Sequence, residues 1–114
     1  MVKHVVDAKE ARTFVPALHV GCIARALLEE ANVGCKNLTM LRSEFKPGGY
    51  ADRHTHTFEQ SYYILKGRAS ITIGDEEYRV KAGMAMTFPP NVPHSIKNTG
   101  KGEMWLIAVN TPPK

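Results

Sequence analysis

From residue 38 onward the chain alternates apolar and polar residues in short runs. The runs at 38–45, 61–65, 69–73, 78–80, 84–88, 94–97 and 104–109 each carry the period of two of a strand with one face buried. Glycine and proline punctuate them at Pro47-Gly48-Gly49, Gly67, Gly74-Asp75, Gly83, Pro89-Pro90, Pro93 and Gly100-Lys101-Gly102. Many short strands separated by turn signals predict an all-β sandwich or barrel. Gly74-Asp75-Glu76-Glu77 reads as a hairpin turn between Ser70-Ile71-Thr72-Ile73 and Tyr78-Arg79-Val80, with Gly74 supplying the unusual backbone angle. Parity assigns faces: Tyr62 and Ile64 go with Gln60, and Val92 and Ile96 with His94. Met84, Met86 and Phe88 form one face, as do Met104, Leu106 and Ala108.

Residues 22–31 resist this pattern. Ile23-Ala24-Arg25-Ala26-Leu27-Leu28-Glu29-Glu30-Ala31 is rich in helix formers, with a stop at Asn32-Val33-Gly34. The β surroundings favour a strand, and a strand is the expectation, because tertiary context overrides local propensity.

At 114 residues, 43% hydrophobic and 23% charged, the chain suits one domain over 1–114 with a modest core. No apolar run approaches the ~20 residues that span a bilayer. Asp7, Lys9, Glu10 and Arg12 interrupt any secretory apolar segment, so a cytoplasmic location is expected. Cys22 and Cys35 then read as reduced thiols. The net charge is +4, but the basic residues are scattered along the sequence. This argues against a nucleic-acid or membrane partner and leaves a mild preference for a small anionic molecule.

The candidate chemistry lies in His54-Thr55-His56-Thr57-Phe58-Glu59-Gln60 and in His94. Two imidazoles two residues apart on a strand share a face and can chelate one ion. Gln60 can add its carbonyl oxygen after a short turn, and His94 can close the set from another strand. Singly, each residue has a plainer surface or core reading. The combined spacing is what points to a metal.

Gly48, five residues, His54, one residue, His56, three residues, Gln60, six residues, Gly67 resembles the first motif (48–67) of the cupins. Gly83, five residues, Pro89, one residue, Asn91, two residues, His94, three residues, Asn98 resembles their second motif (83–98). The resemblance implies a double-stranded β-helix, the RmlC-like jelly-roll barrel. It also implies one divalent transition metal (Zn, Fe, Ni, Mn, Co or Cu) held by His54, His56, Gln60 and His94. Two positions depart from the pattern. Gln60 stands where the family has Glu, with Glu59 beside it and facing away if the register holds. Asn91 stands where a Gly is usual, and Asn also tolerates left-handed turns.

Three imidazoles and an amide would leave the ion its full +2 charge, which favours Lewis-acid handling of an anion over redox cycling. The family includes uronate ring-opening proteins, dioxygenases, decarboxylases, lyases and isomerases. The expectation is a small metalloenzyme acting on a compact oxygen-rich anion, the alternative being a non-catalytic small-molecule-binding cupin. Tyr62 is the candidate catalytic proton donor or substrate-orienting group. Arg42 and Arg53 are candidate carboxylate clamps, although surface roles suit both better. His4 and His19 match no motif and read as surface residues. Trp105, Ile107 and Val109 would face outward and could join two copies as a homodimer.

Overall fold

In a computed structural model, described over residues 3–113, the alternation becomes nine antiparallel strands. They are β1 (Arg12–Phe14), β2 (His19–Leu28), β3 (Thr39–His54), β4 (Glu59–Lys66), β5 (Arg68–Ile73), β6 (Glu76–Lys81), β7 (Ala85–Phe88), β8 (His94–Asn98) and β9 (Met104–Thr111). The sheet order is β6-β5-β8-β3-β9-β4-β7, with β2 on the other side of β3 and β1 on β2. This curled antiparallel sheet is the expected jelly roll. Among the described residues no helix is long and apolar enough to cross a membrane.

β3 makes the curl. Its first half, Thr39 to Phe45, pairs with β9, and its second half, Tyr50 to His54, pairs with β8. The strand changes partner across Lys46-Pro47-Gly48-Gly49, which bulges against Gly21 of β2. A side chain at Gly49 would stand 2.5 Å from the Gly21 carbonyl oxygen, so the backbones meet only because Gly49 has none. The sequence pattern ends this strand at residue 45, because Pro47-Gly48-Gly49 reads as a turn. It is instead the corner of a longer strand.

Inward residues follow the predicted parity. Tyr62 and Ile64 on β4, Ile71 on β5, Phe88 on β7, Ile96 on β8 and Met104, Leu106 and Ala108 on β9 form one buried cluster with Phe45. Each large apolar side chain so buried contributes about 1.5–3 kcal/mol. Met84 is the exception. It precedes β7 and is substantially exposed. Gly74-Asp75 makes the two-residue hairpin turn, with Ile73 facing Glu76 and Gly74 at φ 60°.

The segment with helical propensity divides. Through Leu28 it is strand, because Cys22, Ala24 and Ala26 alternate into the interior against β3. One helical turn, α1 (Glu30–Val33), follows. The Glu29 amide donates to Asn32 Oδ1 at 2.9 Å, and Gly34 closes the turn at φ 75°.

Arg42 lies on the outer face, where it and Arg25 grip Glu44 at 2.9 and 2.8 Å. Burial alone would raise the Glu44 carboxyl, but the two guanidinium groups outweigh it and hold it below its ordinary range. Arg42 also lies 4.3 Å over Trp105. The carboxylate it clamps is therefore the chain's own.

Asn98 ties the second motif to the corner. Its buried amide donates to the carbonyls of Phe45, Lys46 and Gly102 and accepts from the Gly100 amide. Asn98→Ala strands those groups and should lower stability by about 3 kcal/mol in urea denaturation. A loss under about 0.5 kcal/mol would contradict this role.

Candidate metal centre

The centre forms where β3 ends and β8 begins. His54, the last residue of β3, lies directly opposite His94, the first residue of β8. The chain then leaves the sheet, so His56 sits on a loop rather than on the strand expected for it. The Asn91 amide donates to the His56 carbonyl at 2.7 Å and so fastens one motif to the other. Asn91 has φ 65°, the left-handed geometry that usually calls for Gly.

The three rings converge. The centroid separations are 4.5 Å for His54–His94, 4.6 Å for His54–His56 and 5.1 Å for His56–His94. One ring nitrogen from each lies within 4.8 Å of the others. His54 Nε2 and His56 Nε2 are 3.1 Å apart. Two rings are braced by stacking at 4.4 Å, His56 on Phe58 and His94 on Phe88.

Hydrogen bonds fix which nitrogen faces the centre. His54 Nδ1 meets the Asp52 carbonyl, and His94 Nδ1 meets the Val92 carbonyl at 3.2 Å. A carbonyl can only accept, so both Nδ1 atoms carry a proton, and the neutral form of each ring then has its lone pair on Nε2. His94 Nε2 is buried and has no hydrogen-bond partner. Burial pushes the His94 imidazole below its ordinary value of 6.5, and the nearby charges of His54, Arg53 and His19 push the same way against the Val92 bond.

Gln60 points inward and is 7% exposed, while Glu59 points to solvent. Gln60 Nε2 donates to Asn110 Oδ1 at 2.8 Å, and Gln60 Oε1 is buried without a partner. An unpartnered buried acceptor is costly unless something fills its coordination. Two of them, beside two further imidazoles, make a donor set that fits a divalent transition metal.

His54, His56, Gln60 and Tyr62 all line a cavity of about 400 Å³, a size that suits a small molecule. Burial pushes the Tyr62 phenol strongly upward, so this group stays protonated and can donate but not act as a base. Two larger depressions lie elsewhere on the sheet, and neither is lined by a residue of the histidine cluster. Arg53 lines one of those and donates to the Gly74 carbonyl. His4 is exposed. Burial pushes the Cys22 thiol up to about 12, which makes it an inert core group.

The N-terminal wall of the cavity has no local signature among its residues. Phe14, Pro16, Leu18 and His19 close one side of the cavity. His19 is half-buried rather than a surface residue, with its ring 6.2 Å from His54 and 5.9 Å from Phe45. Burial lowers its pKa, against the bond to the Ala17 carbonyl. Leu18 has φ 62°, a strained angle for a leucine, and its carbonyl accepts from the Asp52 amide. The missing signal was long-range: β2 brings His19 opposite Ala51.

The comparisons agree with this geometry. The cupin-domain family model matches residues 41–110. The chain belongs to the cupin family. An uncharacterized protein of Methanocaldococcus jannaschii is 39% identical over 61 residues, which is 53% of this chain and 49% of that protein. This cupin thus spans about half the length of that relative. Among solved structures, a predicted oxalate decarboxylase from Thermotoga maritima superimposes with TM-score 0.84 at 24% identity, covering 96% of this chain and 99% of that one. The polyketide cyclase RemF from Streptomyces resistomycificus does so with TM-score 0.85 at 20% identity, covering 97% and 80%.

His94 is neutral in the fold and protonates more readily when unfolded. Its contribution is therefore complete above pH ~6.5 and is lost as pH falls below that value. Metal-free protein should lose stability from pH 7 towards pH 5, and His94→Gln should flatten that slope in thermal denaturation. An unchanged slope would contradict the assignment.

Proposed function

We propose that this cupin holds one divalent transition metal at His54, His56, Gln60 and His94 and acts on a compact, oxygen-rich anion. The observation that carries the reading is the pair of buried, unpartnered acceptors, His94 Nε2 and Gln60 Oε1, beside the converging His54 and His56 nitrogens. Zn, Fe, Ni, Mn, Co and Cu all suit imidazole and carbonyl donors. When bound, such an ion supplies Lewis-acid polarisation of a substrate oxygen.

The chain's own residues set the rest. All four donors are neutral, so none offsets the charge that attracts an anion. Phe58 and Leu41 line the cavity and displace water, which strengthens polar contacts inside it. Tyr62 remains a neutral phenol and serves as a hydrogen-bond donor to the substrate. The predicted oxalate decarboxylase bears a name that specifies a compact dianion, in keeping with this substrate class.

Metal-loaded protein should turn over at least one of the unsaturated uronates, β-diketones and oxalate, and His94→Ala should lower kcat/KM by more than about 100-fold. Equal rates in both proteins would sink a metal-centred mechanism. Ligand binding without turnover would favour the binding-module reading.

We also infer a homodimer through the outer face of β2, β3, β9 and β4. Trp105 there is partly covered by Arg42 and Lys66, but Tyr63, opposite Ile107, is 47% exposed, and Ile23 is also exposed. Light scattering at micromolar concentration should give twice the chain mass. A monomeric mass would contradict this.

A further inference from the structure

Gln60 poses a problem that a carboxylate ligand would not. A carboxylate offers oxygen at either end, whereas an amide offers oxygen at one end and two N–H donors at the other, in nearly the same shape. Only one of its two orientations can face a cation. Something must choose it.

Asn110 stands where that choice is made. It occupies β9 between Thr39 of β3 and Gln60 of β4, directly opposite both, so the three form a polar row across adjacent strands. All three are buried. Such a row costs more to bury than apolar residues would, and it replaces positions that otherwise continue the Met104, Leu106 and Ala108 face. Asn110 Oδ1 accepts from Gln60 Nε2 at 2.8 Å. That oxygen can only accept, so it holds the NH2 end of Gln60. The other limb of the planar amide, Oε1, is thereby left buried and unpartnered in the wall that also carries His54 and His56.

We infer that Asn110 is a positioning residue that orients the Gln60 amide so that its oxygen, and not its nitrogen, is offered to a metal at the histidine cluster. This rests on the metal-binding reading above. Asn110 does not touch the ion. It makes Gln60 a usable donor where the family pattern has Glu, and the two amides act as one unit.

The test is a double-mutant cycle read as Zn²⁺ affinity, by competition with a chromophoric chelator. Circular dichroism of the metal-free proteins checks folding. With Gln60 in place, Asn110→Leu should weaken Zn²⁺ binding by about 10- to 100-fold. Asn110→Ala is the second acceptor-free variant should the leucine disturb the fold. Asn110→Asp keeps an acceptor and should retain affinity. In a Gln60→Glu background either oxygen can serve, so Asn110→Leu should change affinity within about threefold. Equal losses in both backgrounds, or no loss with Gln60 present, would overturn the inference while leaving the metal site standing. Wild-type protein that binds no Zn²⁺, Co²⁺ or Ni²⁺ would overturn the metal reading and this inference with it.

Discussion

Both halves of the barrel depend on one strand, β3, which pairs with β9 before Lys46-Pro47-Gly48-Gly49 and with β8 after it. The corner exists because Gly49 lets the backbone pass against Gly21, and because Asn98 anchors the carbonyls of Phe45 and Lys46 from inside. Beyond the corner, strand pairing sets His54 opposite His94. The geometry of the histidine cluster is thus a consequence of sheet closure. A slip of one residue would turn one of the two imidazoles away from the other.

Within that frame His94, Gln60 and Tyr62 are buried, while His54 and His56 are half-buried. His94 loses basicity through burial, and Tyr62 loses acidity for the same reason. The wall contains no carboxylate, since Glu59 faces solvent and Gln60 takes the inward place. Such a site has no use for a bound proton and no charge to balance a cation. On the proposed reading, a divalent cation satisfies both the unpartnered His94 nitrogen and the unpartnered Gln60 oxygen. The strand pairing supplies the histidine positions, and the Gln60–Asn110 pair adds a buried amide contact in the same cavity wall.

Much of this was legible in the sequence because strand parity is a local signal. Alternation placed Tyr62, Ile64, Leu106 and Ala108 inside, and motif spacing brought His54, His56 and His94 together. Asn91 at φ 65° follows from its place in the turn before His94. What escaped was set by distant contacts. The extension of β3 through Pro47 requires Gly21 from another strand. The role of His19 and Phe14 requires the N-terminal arm to fold back over the cavity, and nothing in their neighbours records that. Met84 broke parity because its strand begins one residue later. Asn110 was hidden as the polar end of an apolar strand.

The central claim is that three imidazoles and one amide oxygen hold a single divalent ion. X-ray absorption spectroscopy of the Zn²⁺-loaded protein tests it most directly. The account predicts one zinc per chain, a first shell of nitrogen and oxygen at about 2.0–2.2 Å, and multiple scattering from three imidazoles. Sulfur in the first shell, fewer than two imidazoles, or no stoichiometric zinc would contradict it.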